Sequence, residues 1–468
     1  MSSTVTPSPA PPVAPAPRRP RSFAGPLVLI LIGLVFMLRN FNVLSTAAMF
    51  HWFARYWPVL IIVWGLVKLL EYYQAQRAGY PPRGVGAGGV VLLVFLILFG
   101  LAASEGERVN WGRVGSEMDI DEDVFSNVFG QTYTYTGEVE QAFPKNVSSV
   151  HVVSDRGDVN VQAWDQDKIK VSYNKSVGAA NESDAKQVDN QTKPQITIAG
   201  DTLTVNANTG GAGDKPVKNN LEIFIPRRAA LDLALKRGDV TVRERTGDVK
   251  ASTTHGDVSL DNVRGNTSLN VRRGSVTVSK VTGDLSVEGR IDDTTVSDVS
   301  GSVRFSGDFF GTVSLSRAGK GVSFKSSRTD LEFAKLAGEF NMQRDELHAS
   351  GASGPLHVLT RAKEIHLEDV SGDVRIENSN ADVEIRASRV PLGNIQVENH
   401  RGRVALVVPA RAGFQLDART SRGEVQSDFD VKIETAGREA HATGQVGGGG
   451  PSVRLNTDRA DIEIRKAG

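Results

Sequence analysis

Three stretches near the start of the chain run almost free of charge. Phe23 to Leu38 is apolar and closed by Arg39 and Asn40. Trp57 to Leu70 is interrupted only by Lys68, and Gly84 to Ser104 holds 21 uncharged residues. A bilayer core takes about 20 residues per helix. The third run therefore predicts a full span; the first two predict short spans or a re-entrant hairpin, with Lys68 snorkelling to the interface. His51, Trp52, Tyr56 and Trp57 between them predict an interfacial aromatic belt. Residues 1–22 are rich in Pro, Ser, Thr and Ala and predict a disordered tail. The front of the chain thus reads as a tail over 1–22, about three transmembrane helices over 23–104, and a polar, acidic linker over 105–143.

Past the linker the period changes to two. Val150-His-Val-Val153, Val159-Asn-Val161 and Ile169-Lys-Val171 are short alternating segments separated by Gly, Asn and Asp, which predicts strands and tight turns. Residues 178–191 predict one short helix, and further strands follow over 195–198, 202–205 and 221–225. Residues 144–229 form the N-terminal β part in this reading.

From Gly238 a register appears. Glycine recurs at 238, 247, 256, 265, 274 and 283, and Gly-Asp pairs stand at 238–239, 247–248, 256–257 and 283–284. Two and four residues after each register position come Val240/Val242, Val249/Ala251, Val258/Leu260, Thr267/Leu269, Val276/Val278, Leu285/Val287, Thr294/Val296 and Val303/Phe305. Each repeat is one turn and one strand, with its inward residues alternating. Seven after the register position, Val263, Val281 and Val299 recur every second repeat, so alternate segments are inequivalent and the unit is a two-sided coil of about 18 residues. The fold predicted is all-β: a parallel β-solenoid over 230–468 behind a helical transmembrane region. Asp330 to His348 fits the register worst and predicts an insertion or broken coil.

Composition sharpens this. The chain has no Cys, which removes disulfides, thiolate metal sites and a cysteine nucleophile. Its 54 basic and 54 acidic residues give no basic excess and argue against nucleic acid as partner. Residues 1–103 carry eight basic side chains against Glu71 alone, so the rest of the chain has seven acids in excess. The third apolar run is preceded by Arg77 and Arg83 and followed by an acidic stretch. Positive-inside then predicts a cytoplasmic N-terminus, and a C-terminal domain in the periplasm or outside the cell.

Candidate chemistry is sparse. A calcium-binding roll would need several ligands per turn, whereas here one Asp per turn suffices to cap its own backbone. The His residues show no ligand spacing. Arg243, Arg245, Arg264, Arg272, Arg273 and Arg290 cluster along the ladder, with Arg245, Arg272 and Arg290 at one repeat position that predicts a corner of the coil. Arg272, Arg273 and Arg290 form the candidate stripe for an anionic glycan or partner; a solvated face balanced by neighbouring acids is the plainer reading. No metal, cofactor or catalytic residue is expected.

Ile225-Pro-Arg-Arg-Ala-Ala-Leu-Asp-Leu-Ala-Leu-Lys-Arg-Gly-Asp-Val240, running into the Gly-Asp-Val ladder, resembles the "putative adhesin" family of bacterial envelope proteins. The resemblance spans roughly Val147 to Gly468 and implies a β-solenoid of unknown biochemical activity. Gly25-Pro-Leu-Val-Leu-Ile-Leu-Ile-Gly-Leu-Val-Phe-Met-Leu-Arg-Asn and Tyr56-Trp-Pro-Val-Leu-Ile-Ile-Val-Trp-Gly-Leu-Val resemble the membrane hairpin of Lia-type envelope-stress proteins. The expectation is a non-catalytic, membrane-anchored binding or scaffolding protein of the envelope. Its partners would be the lipid bilayer and an envelope glycan or a membrane signalling protein. The alternatives are an envelope-stress sensor acting through the hairpin and, third, a polysaccharide lyase on a solenoid.

Overall fold

The computed structural model describes residues 131–467 apart from 214, together with helical positions scattered from 56 to 73. The chain divides into two compact units, Met1–Gly130 and Gln131–Gly468. In the first, the described helical positions leave Val59, Ile62, Val63, Leu66 and Leu69 exposed. Among the described residues no helix is long and apolar enough to cross a membrane. The expected tail, the first and third apolar runs and the linker as far as residue 130 lie outside the described residues.

The second unit is a two-sided coil of β-strands. One side, sheet I, stacks Leu231, Val249, Thr267, Leu285, Val303 and Val322 in parallel register. The other, sheet II, stacks Val159, Val240, Val258, Val276, Thr294 and Val313. The inward residues expected from the register, Val240 and Val242 through Val303 and Phe305, are all buried, Thr267 and Thr294 included. They form one continuous core with the strands to either side. A single strand has only one apolar face, so stacking is what buries it.

Two kinds of corner join the sheets. On the way from sheet II to sheet I, Glu244, Asn262, Lys280, Asp298 and Arg317 adopt left-handed backbone with φ of 55–58°. That twist turns the next residue inward and explains Val263, Val281 and Val299. At the opposite corner Gly238, Gly256 and Gly274 have φ of 131–139°. A Cβ on Gly256 would sit 2.2 Å from the Gly238 carbonyl oxygen, so this column of close backbone contacts demands glycine.

The misfit segment is a single long strand, Thr329–Met342, that runs against its neighbours. Its first half pairs antiparallel in sheet I with Val322–Lys325 and Ala352–Thr360. Its second half does the same in sheet II with Val313–Ala318 and Glu346–Ser350. It is therefore one counter-wound coil, and parallel stacking resumes beyond it.

Neither terminal coil lies at the end of the stack. Ser149–Ser154 sits between Thr202–Asn206 and Ala230–Arg237, and Val159–Trp164 between Val217–Pro226 and Val240–Thr246. At the other end Ser452–Thr457 sits between Ile395–Arg401 and Phe414–Thr420. Ile462–Ala467 likewise sits between Val404–Pro409 and Val425–Ser427. The predicted helix is Glu182–Gln191, capped by Asn181. It packs Ala185 and Val188 against Val177 and Val217. Lys175 is buried there, 2.7 Å from Asp189. The linker expected over 105–143 is corrected in its last part: Gln131–Ala142 is a strand paired antiparallel with Lys168–Ala179.

Candidate functional site

The Gly-Asp turns are a structural device, though a different one from that expected. Each Asp or Asn side chain accepts a backbone N–H from the next coil, not from its own turn. Asp239 takes the N–H of Asp257 at 2.8 Å, and Asp257 that of Ser275 at 2.7 Å. On the other side Asp248, Asn266 and Asp284 take those of Asn266, Asp284 and Ser302. The hydrogen bond from Ser302 holds the Asp284 carboxyl below the usual carboxylate range. Among the described residues no group of three His, Cys, Asp or Glu is arranged to hold a metal ion.

The arginines divide. Arg272, Arg273 and Arg290 are exposed on one corner, with Arg272 and Arg290 on successive coils, as the pairing of Val271 with Gly289 requires. Arg273 donates to His255 Nε2 at 3.2 Å. Arg290 lies 5.6 Å over the exposed ring of Phe310 and stands in register with Asp308.

Arg245, expected at a corner, is instead among the largest fully buried side chains. It follows left-handed Glu244 and occupies the inward position that Val263 fills one coil later. Its guanidinium donates to the carbonyls of Pro226 at 2.7 Å and Ala229 at 2.5 Å. Burial, with some repulsion from Arg227, pushes its pKa down to about 10, which leaves it charged at neutral pH. It is a structural clamp on the 226–229 turn.

Two surface grooves were not foreseen. The larger, about 750 Å³, crosses the outer face of sheet II at its N-terminal end. Register places Glu138, Ser172, Glu222, Asn160 and Thr241 side by side in one row. Asn174 and Asn220 pair in the next row, which Asp158 and Asp239 extend. Glu138 is held by Lys170 at 2.8 Å, and Asp158 by Lys218 at 3.3 Å. The second groove, about 520 Å³, runs over sheet I past Asp232, Lys250, Ser268, Ser286 and Arg304. The larger one joins Asp239 and Thr241 of the first register segment to segments far apart in sequence that lack the nine-residue run, so no local signal in the sequence marks it.

No curated protein matches the chain. Two solved structures align with it. One is a "putative cell adhesion protein" from Clostridium sporogenes ATCC 15579, 11% identical over 71% of this chain and 100% of that one, with a TM-score of 0.15. The other is a "putative adhesin" from Bacteroides fragilis NCTC 9343, 10% identical over 72% of this chain and 97% of that one, with a TM-score of 0.19. Residues 24–112 match the LiaF transmembrane domain, which makes this a membrane-associated protein. Residues 147–465, well over half the chain and including every coil of the solenoid, match the Toastrack DUF4097 domain, and the protein belongs to that family.

Proposed function

We propose that this membrane-associated envelope protein acts by binding or scaffolding through its solenoid, without catalysis, with the N-terminus cytoplasmic and the solenoid on the far side of the membrane. The observation that carries the reading is the union, on one chain, of a LiaF-like membrane segment with a Toastrack solenoid that presents long polar faces. Arg272, Arg273 and Arg290 are its anion-facing patch in this reading. A second reading, favoured by the LiaF match at 24–112, is envelope-stress regulation through contacts made in the membrane.

Retention of envelope fractions by the protein in nanodiscs tests this. Replacing 24–112 by an unrelated anchor should leave retention intact if the solenoid binds; loss of it favours the regulator. Changing Arg272, Arg273 and Arg290 together to Ser should weaken retention at low salt and matter less at high salt, where screening is already strong. Unchanged low-salt retention would make the patch a solvated face. Protease added to spheroplasts should digest the solenoid, and its full protection would reverse the orientation.

A further inference from the structure

We propose that the 750 Å³ groove on sheet II binds an uncharged glycan, and that the hydroxyl column leading out of it is the track for a longer chain. This rests on the binding reading above and names its ligand class.

The groove's size lies in the range of small-ligand sites, about 300–1,000 Å³. Its chemistry is amide, hydroxyl and carboxylate, because Val159 and Leu221 on the same strands turn inward and are buried. Most of the carboxylates are already committed within the protein. Glu138 faces Lys170 and Asp158 faces Lys218. Asp158 and Asp239 also each accept a backbone N–H from the next coil. A cationic ligand would have to compete with those partners, and a phosphate would meet repulsion. Tyr173 also lines the groove, so a ligand that carries C–H faces as well as hydroxyls meets both kinds of surface, as a sugar ring does. Beside the carboxylate of Glu222, what remains on offer is uncharged: the amides of Asn160 and Asn174, the amide nitrogen of Asn220, whose oxygen takes the Asp158 N–H, and the hydroxyls of Ser172 and Thr241. The Asn160 Oδ1 atom is buried without a donor in the protein, and such atoms normally find one. A sugar hydroxyl, at once donor and acceptor, matches this set.

Thr241 is also the first rung of a longer feature. It continues in unbroken parallel register through Ser259, Thr277, Thr295 and Ser314. Every one is a hydroxyl side chain on the outer face, in a chain of which 23% is charged. The rungs repeat about every 4.8 Å, an interval comparable to the sugar repeat of an extended β-linked glycan.

The full-length protein in nanodiscs is titrated with cellotetraose, with the tetramer of N-acetylglucosamine and with pentalysine. At least one neutral tetrasaccharide should bind. Asn160→Ala and Asn174→Ala should each weaken it by up to about tenfold, the size of one lost hydrogen bond. Ser268→Ala in the other groove should change nothing. Asn174 is exposed, so its variant reads the groove even if Asn160→Ala lowers the melting temperature. Thr277→Val should weaken octameric glycan and leave the tetramer unaffected. Binding of neither tetrasaccharide, or of pentalysine alone, while envelope fractions are still retained, overturns the glycan assignment and leaves the binding reading standing. Retention of no envelope material by wild type overturns that reading itself.

Discussion

Single residues in this protein matter according to which neighbour they satisfy. Arg245 fills a valine position and closes two backbone carbonyls that no valine could reach. Arg245→Val should fit the cavity yet cost about 2–4 kcal/mol, since the carbonyls of 226 and 229 lose their donors in a buried place. Arg245→Lys should fall between, having one compact ammonium in place of a planar fork. Denaturant unfolding measures both, and equal midpoints for Val and Arg would discount the clamp. Asp284 makes the opposite kind of bond, exposed and replaceable. Its carboxyl is held below the usual range by the Ser302 N–H, so its stabilisation is present above the unfolded pKa and lost as pH falls through the folded one. Asp284→Asn should keep the acceptor, as Asn266 does naturally, and flatten this part of the acid limb. Asp284→Ala should lose roughly 0.5–1 kcal/mol at neutral pH. An acid titration of thermal stability separates the two.

At the scale of the coil, backbone geometry sets the rules. Gly256→Ala would drive a methyl to 2.2 Å from the Gly238 carbonyl at a φ of +136°, whereas Gly200 has a φ of +64° and open space around it. Gly200→Ala should cost about 1 kcal/mol from backbone strain alone, and Gly256→Ala should cost at least twice that and broaden the unfolding transition. Comparable melting temperatures would mean the glycine column can shift. These coils were legible in the sequence because turn and strand recur together: glycine, then valine at two and four. Arg245 was misread although it stands 18 residues before Val263. Position seven after a glycine points inward after a left-handed residue and outward at the other corner, as Arg272 and Arg290 do. The counter-wound strand was visible as a misfit over 330–348. Its reversal was not, because the step had already lengthened to 19 residues at Val313 and Val322. Apart from Val240–Thr246, the groove's strands carry no run of the repeat, and their meeting depends on register between distant segments. No local signal encodes that.

At the scale of the whole solenoid, the ends are held by interleaving. Removing residues 451–468 deletes Ser452–Thr457 and Ile462–Ala467, so Phe414–Thr420 and Val425–Ser427 lose the coil that joins them to the rest. Hydrogen exchange over 414–446 should then become fast, while Ile395–Arg401 and Val404–Pro409 keep the partners on their inner side. Deleting Lys432–Ala436, a fully exposed strand paired on one edge, should change exchange only nearby. Persistent protection over 414–420 in the truncated protein would show that these strands can close directly onto Ile395–Arg401.

The interleaved last coil also has a consequence in time. A ribosome delivers residues 414–427 before it delivers the strands that must lie beneath them. Until residues 452–467 emerge, the nascent solenoid ends in open edges at Ile395–Arg401 and Val404–Pro409. Growth therefore cannot proceed coil by coil to the finish. The closing step waits for residues 452–467, and a chain stopped before them differs from one that contains them by two exposed sheet edges, a distinction that any quality-control factor reading unpaired strands can make.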